Sequence, residues 1–322
     1  MNLEIKDKNN NPIVFSPLVV GGVSKQMIKG LYDKVFFDKL KSYNLLTFDL
    51  ARLYGFGSCE ENFSKYLKYL DRDKTTIITK CCHPKFNVIK RVNKKAAFND
   101  IETSLKALNV DYVDCLLLHK DDESKNPEEI ITFMNEMISK GYTRSIGVSN
   151  WNIERIKKAN DYAISHNLVP FKVNEPQFSL PVRIRDPWHN GSKTLTGTNH
   201  LEDKKYLKEN GIITLCYSSL ADGFMSGKYS SYDENFKKHL SKTSRSAYYC
   251  QSNLKILKRA EILAEKKNIS VPQLGLAYVL NQDFNTRAIV NLSSTKRIEE
   301  NIKAIDIILS NEEKSYLING WK

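Results

Sequence analysis

The sequence lacks any long hydrophobic run. No stretch approaches the roughly 20 consecutive apolar residues that a membrane-spanning helix needs, and the segment from Met1 to Asn11 is polar and charged, without the apolar region of a secretory signal. We therefore expect a cytoplasmic protein with no membrane partner. A stretch rich in Pro, Gly or Ser that would indicate a linker is also missing, so we expect one domain over residues 1–322.

Cysteine is scarce and its spacing is not that of a metal site. The six cysteines are scattered through 322 residues, which excludes a small disulfide-stapled scaffold and favours reduced thiols. Cys81, Cys82 and His83 are adjacent, but neighbouring residues on a strand point to opposite faces, and no CxxC or HxxxH pair completes a ligand set. The pattern predicts no metal.

The chain has an excess of basic residues, with a formal net charge of +12. These lysines alternate with acidic residues along predicted helices, as at Glu154, Lys157 and Lys158, which is typical of solvated helix faces. We expect no nucleic-acid partner, although a mild attraction for anionic ligands remains.

Short β-branched or Leu-rich runs alternate with longer amphipathic runs, a pattern that indicates repeated βα units around a parallel sheet. The predicted strands are Leu18–Gly21, Leu45–Asp49, Thr76–Lys80, Tyr112–His119, Ser145–Ser149, Phe171–Glu175, Ile212–Tyr217 and Arg287–Val290. The predicted helices are Leu31–Tyr43, Glu60–Leu70, Lys94–Leu108, Glu128–Lys140, Ile153–Asn167, Leu201–Asn210, Leu254–Lys267 and Thr295–Ile305, with one more signalled by a capping box at Ser270 and Gln273. Eight strands favour an α/β (β/α)8 TIM barrel, preceded by a hairpin of Leu3–Lys6 and Pro12–Phe15.

In such a barrel the chemistry lies at the carboxyl ends of the strands, where Asp49, Lys80 and His119 fall, with Tyr54 in the loop after the second strand. A free tyrosine, with a pKa of about 10, is a poor proton carrier at neutral pH. A lysine about 4 Å away would favour phenolate by about 4 kcal/mol, roughly three pKa units. We therefore expect Lys80 to lower the pKa of Tyr54, Asp49 to hold Lys80, and His119 to orient a substrate oxygen.

Each of these residues also has a structural interpretation: Asp49 could cap a turn, Lys80 could be solvated, Tyr54 could pack, and His119 could bond a buried carbonyl. Taken one at a time, the structural interpretation is favoured. Their convergence on one barrel mouth favours the catalytic one.

Four motifs follow one another in a recognisable order: Phe48-Asp-Leu-Ala-Arg-Leu-Tyr-Gly-Phe-Gly57, Ile77-Ile-Thr-Lys80, Leu116-Leu-Leu-His119 and Ser145-Ile-Gly-Val-Ser-Asn-Trp151. Together they closely resemble the aldo-keto reductase superfamily over nearly the whole chain. The resemblance implies a (β/α)8 barrel closed by an amino-terminal hairpin and NADPH, or less often NADH, as cofactor. It also implies Asp49, Tyr54, Lys80 and His119 as the catalytic tetrad, with Tyr54 as general acid in a metal-free hydride transfer.

The same resemblance implies that Ser149 and Asn150 bond the nicotinamide carboxamide and that Tyr217 stacks on its ring. Where most members carry Gln, this chain has Glu175, with Gln177 two residues later. A carboxylate there accepts but cannot donate, and it would add charge beside the ring. Gln177 is the substitute ligand if the register is shifted.

Near the carboxyl terminus the chain resembles the family segment for the adenosine 2′-phosphate. Arg297, Glu300 and Asn301 share a helical face, and Ser293 and Ser294 precede it, where free N–H groups favour a phosphate. We expect NADP(H), although Asn291 replaces a frequent family Lys and NAD(H) is the alternative cofactor. A surface salt bridge of Arg297 with Glu300 is the structural alternative.

The substrate side is polar. Lys120, Asp121 and Asp122 follow His119, which suggests a small-molecule carbonyl or polyol such as a sugar, or simply the start of a loop. The long segment from Pro181 to Thr198 is expected to fold over the same mouth. This segment contains Arg183, Arg185, Trp188 and His189 and could present cations to a phosphorylated or nucleotide-linked substrate. Two other function classes stay open: an aldolase that uses Lys80 as a Schiff base, and a slow redox-sensing NADPH-binding subunit. The oligomeric state cannot be read from the sequence.

Overall fold

A computed structural model describes residues 2–86 and 88–320, except for the side chain of Thr198. Its strands are β1 (Leu3–Lys6), β2 (Pro12–Phe15), β3 (Leu18–Gly21), β4 (Thr47–Asp49), β5 (Thr76–Cys81), β6 (Val113–Leu118), β7 (Thr143–Ser149), β8 (Val173–Glu175), β9 (Ile213–Cys216) and β10 (Thr286–Val290). Strands β3 to β10 are parallel neighbours and close into a barrel through the β10–β3 pairing. The predicted (β/α)8 barrel is confirmed.

The helices are α1 (Lys25–Lys29), α2 (Lys34–Ser42), α3 (Ser58–Tyr66), α4 (Lys94–Leu108), α5 (Pro127–Ser139), α6 (Ile153–Ser165), α7 (Leu201–Glu209), α8 (Phe236–His239), α9 (Lys242–Tyr248), α10 (Gln251–Lys266), α11 (Val271–Leu280), α12 (Thr295–Ile302) and α13 (Asn311–Asn319). Local capping fixes several of their ends. The predicted capping box at the start of α11 is present, with Ser270 and Gln273 bonding each other's backbone.

Some element boundaries differ from the prediction. The helix expected from Leu31 begins at Lys34, because the Asp33 side chain caps it by accepting from the Phe36 N–H. Four short helices, α1, α8, α9 and α13, were not predicted. Helices α1, α8 and α9 have at most seven residues, which is too short to show the apolar periodicity on which the prediction depends.

The barrel strands are buried on both faces. Every residue of β5 and β6 is buried, as expected for a parallel sheet that is covered by helices outside and filled by side chains inside. Strands β7 and β8 approach so closely that a Cβ on Gly147 would lie 2.2 Å from the Val173 carbonyl oxygen. Only glycine fits this position.

The predicted hairpin, β1 paired antiparallel with β2, covers the amino-terminal end of the barrel. Ile5, Ile13 and Phe15 belong to the same buried cluster as the inward-facing Ile78 and Leu117. The closed end leaves the carboxyl ends of the strands as the open mouth.

In the part of the chain that the structure describes, no helix has both the length and the apolar character needed to cross a membrane. Among the same residues, no three His, Cys, Asp or Glu side chains are grouped so that they could hold a metal ion.

Candidate active site

A cavity of about 830 Å³ opens at the carboxyl ends of the barrel strands. It is lined by the predicted site residues Asp49, Tyr54, His119, Ser149, Asn150, Glu175, Tyr217, Ser293, Arg297 and Asn301. The predicted residues Lys80, Gln177, Ser294 and Glu300 do not line it. The sequence pattern therefore located the mouth, and the structure distinguishes the side chains that face it from those that stand behind it.

Lys80 ends the inward face of β5 and lies directly behind Tyr54. Its Nζ donates to the Tyr54 hydroxyl at 3.1 Å, to the Leu50 carbonyl at 3.1 Å and to the Asp49 carboxylate. The carboxylate of Glu175 is 3.4 Å away. Burial lowers the pKa of Lys80, but Asp49 and Glu175 outweigh it and hold that pKa well above its ordinary value. Lys80 is thus an ammonium ion in hydrogen-bond contact with the phenol.

Two carboxyl groups share this one cation. Burial, together with the neighbouring Asp49, raises the pKa of Glu175 well above its ordinary value, and Lys80 only partly offsets the effect. Burial and Asp49 thus favour the protonated form of Glu175 more than for a free glutamate. In that form the carboxyl offers one donor and one acceptor, as the amide of Gln does.

The expected lowering of the Tyr54 pKa is wrong. The Lys80 contact is present, but burial comes first and, together with Asp49 and Glu175, raises the pKa of Tyr54 above its ordinary value of 10.0. The attraction of the Lys80 cation is smaller than the combined effect of lost hydration and two nearby carboxyl groups. Tyr54 is a protonated phenol at every physiological pH.

His119 faces Tyr54 across the cavity. The two ring centroids are 5.9 Å apart and nearly perpendicular, and the His83 ring lies 4.7 Å from His119 on the other side. Burial first, and then the cations Lys80 and Lys120 and the His83 ring, hold the pKa of His119 well below 6.5. The imidazole is neutral, so it has one N–H donor and one acceptor nitrogen.

Ser149, Asn150 and Tyr217 form a bonded wall next to this centre. The Asn150 Nδ2 donates to Ser149 Oγ at 2.9 Å, and Asn150 Oδ1 accepts from the Tyr217 hydroxyl at 2.7 Å. Ser149 Oγ donates to the Glu175 carbonyl at 2.8 Å. Asn150 has a φ of 62°, a left-handed conformation that asparagine tolerates better than most residues.

Gln177 does not reach the cavity. Its side chain is fully buried, where it donates to Ser179 at 2.9 Å and accepts from Thr194 at 2.5 Å. The register is therefore not shifted, and Glu175 is the residue that the sixth barrel strand presents to the mouth.

Of the residues predicted to bind the adenosine 2′-phosphate, some line the cavity and others do not. Ser293, Arg297 and Asn301 line it, whereas Ser294 caps α12 by accepting from the Arg297 N–H at 3.3 Å. Glu300 is paired with Arg297, Oε2 to NH1, at 3.2 Å. The structural alternative for that pair is present, but both groups are more than 40% exposed, so the pair is weak and a ligand could replace it.

The expected polar rim of Asp121 and Asp122 is corrected. The Asp121 carboxylate is bonded by Arg155 at 2.7 Å and 3.0 Å, and Asp122 accepts from Lys90 and Ser124. Neither residue lines the cavity. Their negative charges are matched within the protein, so they are poor candidates for binding substrate hydroxyls.

Several lining residues were not predicted. They are His83, Asn190 and Ser192 near Tyr54, and Ser218, Ser219, Leu220, Asp222, Gly223 and Ser226 farther along the cavity. Lys120, which was expected at the polar rim, lines the cavity as well. Ser218 and Asp222 have positive φ values. The glycines at 223 and 227 were the available sequence signal. Trp188, in the segment expected to cover the mouth, does line it.

Residues 32–319 match the family model described as the aldo/keto reductase family. The chain belongs to this family. The aldo/keto reductase model covers the barrel from Tyr32 onward and leaves the hairpin outside the matched residues. The resemblance seen in the motifs is confirmed.

Among known proteins, this aldo/keto reductase is 26% identical over 279 residues to an L-glyceraldehyde 3-phosphate reductase of Escherichia coli O157:H7, covering 83% of this chain and 77% of that one. It is 27% identical over 272 residues to a probable voltage-gated potassium channel subunit beta of Arabidopsis thaliana, covering 81% and 78%. It also matches a crystal structure of aldo/keto reductase from Klebsiella pneumoniae in complex with NADP and acetate, with a TM-score of 0.66 and 20% identity, over 98% of this chain and 93% of that chain. At that identity the structural likeness shows the fold alone.

Proposed function

We propose that this protein is an NADP-dependent oxidoreductase that transfers a hydride between the nicotinamide and the carbonyl carbon of an aldehyde or ketone. The observation that carries the proposal is the hydrogen bond from the Lys80 ammonium to the Tyr54 hydroxyl at the cavity wall, opposite a neutral His119. Membership of the aldo/keto reductase family supports the reaction type.

The residues present fit a nicotinamide dinucleotide. The cavity runs from Tyr54 to Asn301, and its volume is within the range of small-molecule and cofactor sites. The buried Glu175 Oε2 makes no hydrogen bond among the described residues, although it lies 3.4 Å from Lys80 Nζ, so it can accept from a ligand donor. Arg297, at the far end, would meet the 2′-phosphate. The relative from Klebsiella pneumoniae, whose structure holds NADP, agrees with this proposal.

Bound NADPH would supply the hydride, and the protein handles the proton. In reduction, the neutral His119 N–H holds the carbonyl oxygen, and Tyr54 donates its hydroxyl proton to that oxygen as negative charge develops there. Lys80 then stabilises the phenolate that remains, since its ammonium is already in contact with the oxygen. Asp49 keeps Lys80 charged and fixed. The high pKa of Tyr54 keeps it in the acid form that reduction requires.

The aldolase alternative is disfavoured by the state of Lys80. A Schiff-base lysine must lose its proton to attack a carbonyl, which requires a lowered pKa. Lys80 instead has a raised pKa and makes three hydrogen bonds, and its side chain is fully buried behind Tyr54. No comparable feature favours the redox-sensing subunit.

The substrate proposal remains a small polar carbonyl compound or the corresponding polyol, such as a sugar or sugar derivative. With Asp121 and Asp122 turned away, its support comes from the polar wall of Lys120, Asn190 and Ser192 beside His119. The Escherichia coli relative, named for reduction of a phosphorylated three-carbon sugar, agrees with a substrate of this size.

The test is a fluorescence titration of wild type and Arg297→Ala with NADPH and NADH, followed by a turnover screen. We expect tighter binding of NADPH, a loss of about tenfold or more of that preference in the variant, and oxidation of NADPH with aldoses or small ketones. Equal affinity for the two cofactors overturns the NADP assignment. Turnover of apolar aldehydes alone overturns the carbohydrate proposal.

A further inference from the structure

Lys120 is a buried cation that lines the substrate end of the cavity. It directly follows His119 along the chain and is 6% exposed. The cavity wall beside it is formed by Trp188, Asn190 and Ser192, which belong to the long segment that covers the mouth. A group bound by Lys120 would therefore belong to the same small molecule whose carbonyl meets Tyr54.

The hydrogen bonds around Lys120 leave donors unused at the cavity wall. Its Nζ donates to Asn190 Oδ1 at 3.0 Å and to Ser192 Oγ at 2.5 Å, and an ammonium has three N–H groups. Among residues 2–86 and 88–320, no acceptor takes the third, and none takes a proton from the Asn190 Nδ2. Asn190 thus uses its oxygen internally and leaves its amide nitrogen for a ligand.

The charge of Lys120 is not matched by a contact ion pair. No carboxylate of the described residues comes within 4.0 Å of the Lys120 Nζ. The buried Arg183 also lacks a carboxylate within that distance among the described residues, and it donates to the Ser192 carbonyl at 2.5 Å. Two cations therefore converge on Ser192. The carboxylate that most offsets the charge of Lys120 is Asp186, whose oxygens are occupied by the backbone N–H groups of Trp188, Asn190 and Ser192.

We propose that Lys120, with the amide of Asn190, binds a phosphate group on the substrate. A buried ammonium without a contact anion is costly, and a ligand anion would remove that cost. The inference rests on the proposed function and narrows it: the preferred substrate is a phosphorylated small aldehyde or ketone, with its carbonyl at Tyr54 and its phosphate at Lys120. Lys120 is a specificity-determining residue for this reaction.

The donor arrangement favours a phosphate over a carboxylate. The free donors come from two side chains on different segments, and a tetrahedral phosphate has three oxygens that can meet donors from different directions, whereas a carboxylate has two in one plane. The site is also separate from the proposed cofactor phosphates: Lys120 follows β6, whereas Ser293 and Arg297 follow β10, which lies four strands away around the closed barrel.

The test compares substrate pairs that differ by one group: glyceraldehyde 3-phosphate with glyceraldehyde, and succinic semialdehyde with butyraldehyde. Wild type is expected to have the higher kcat/KM for the phosphorylated partner. Lys120→Met, and Lys120→Gln, which keeps a hydrogen-bond donor, should each lower the phosphorylated-to-unphosphorylated ratio about 10- to 100-fold. Lys193→Met is the matched control. Lys193 lies in the covering segment beside Ser192, pairs with Glu123 and does not line the cavity. Its ratio should stay within about twofold of wild type.

Three outcomes overturn the proposal. The first is a wild-type kcat/KM that is the same for glyceraldehyde 3-phosphate and glyceraldehyde, and the second is a Lys120 variant that lowers kcat/KM for both by the same factor. The third is a Lys120 variant that affects succinic semialdehyde relative to butyraldehyde more than it affects the phosphorylated pair. Calorimetric titration with glycerol 3-phosphate, with and without NADP, tests the subsite without turnover. If wild type binds glycerol 3-phosphate and Lys120→Met does not, the subsite is supported. If in addition no carbonyl compound is reduced, the proposed function is overturned while the subsite stands. Equal binding by both proteins overturns the subsite.

Discussion

Replacing Glu175 by Gln should change how the stability of the protein depends on pH. Burial and the neighbouring Asp49 raise the pKa of Glu175 well above its ordinary value of 4.5, so folded Glu175 keeps a proton that the unfolded chain has lost. The folded state then loses stability as the pH rises above about 4.5, until the pH passes the folded pKa. Gln is nearly isosteric and does not titrate, so Glu175→Gln removes this loss.

The magnitude follows from linkage. One proton held by the folded state alone costs about 1.4 kcal/mol of unfolding free energy for each pH unit. Between pH 5 and pH 7, the stability of Glu175→Gln relative to wild type should therefore rise by as much as about 2.7 kcal/mol. Because Glu175 is 3% exposed, solvent does not screen its interactions enough to reduce this free-energy difference.

The assay is urea unfolding, followed by tryptophan fluorescence, at half-unit steps from pH 5 to pH 8. The matched control is Glu312→Gln: a hydrogen bond from Ser310 lowers the pKa of this exposed glutamate, so the group is already ionised in the folded and the unfolded chain above about pH 5. The stability of this variant relative to wild type should therefore stay constant over the same pH range. Parallel stability curves for wild type and Glu175→Gln would refute the assignment of a buried protonated carboxyl.

Two further substitutions test the barrel itself. Asp114→Ala should cost about 3 kcal/mol of unfolding free energy, because it leaves the half-buried Arg72 and Arg144 guanidinium groups without their buried partner. A cost below about 1 kcal/mol in urea unfolding would show that the ion cluster around Asp114, which also includes Asp7 through Arg144, contributes little. Ser270→Ala removes the N-cap of α11 and should lower the free energy of unfolding by about 1 kcal/mol, and Ser270→Gly should lower it less. An unchanged melting curve would contradict the capping role of the bond between Ser270 and Gln273.

Periodicity and position in the chain were enough to predict the barrel and the contact between Lys80 and Tyr54. The alternation of apolar runs determines which residues end a strand, and parallel strands bring those ends to one mouth. Whether a side chain at that mouth is free or paired depends on residues far away in sequence. Asp121 was expected to face the substrate, but Arg155, 34 residues later, binds its carboxylate.

Charge states were the least predictable part of the site. The pKa of Tyr54 depends on burial and on three charged neighbours, and one of these, Glu175, comes from a strand more than 100 residues away. A pairwise estimate with Lys80 alone had the wrong sign. Lys120 was expected at the polar rim with Asp121 and Asp122, but its burial could not be predicted, because a lysine is usually solvated and the residues that bond it, Asn190 and Ser192, lie about 70 residues later.

The most direct test of the central claim is the kinetics of Tyr54→Phe, measured as NADPH oxidation with the best carbonyl substrate of the screen. The variant keeps the ring and removes the proton that Tyr54 would donate. The account predicts a loss of about 10²- to 10⁴-fold in kcat, while the affinity for NADPH, from fluorescence titration, stays within a few-fold of wild type. Turnover close to that of wild type would contradict Tyr54 as the proton carrier.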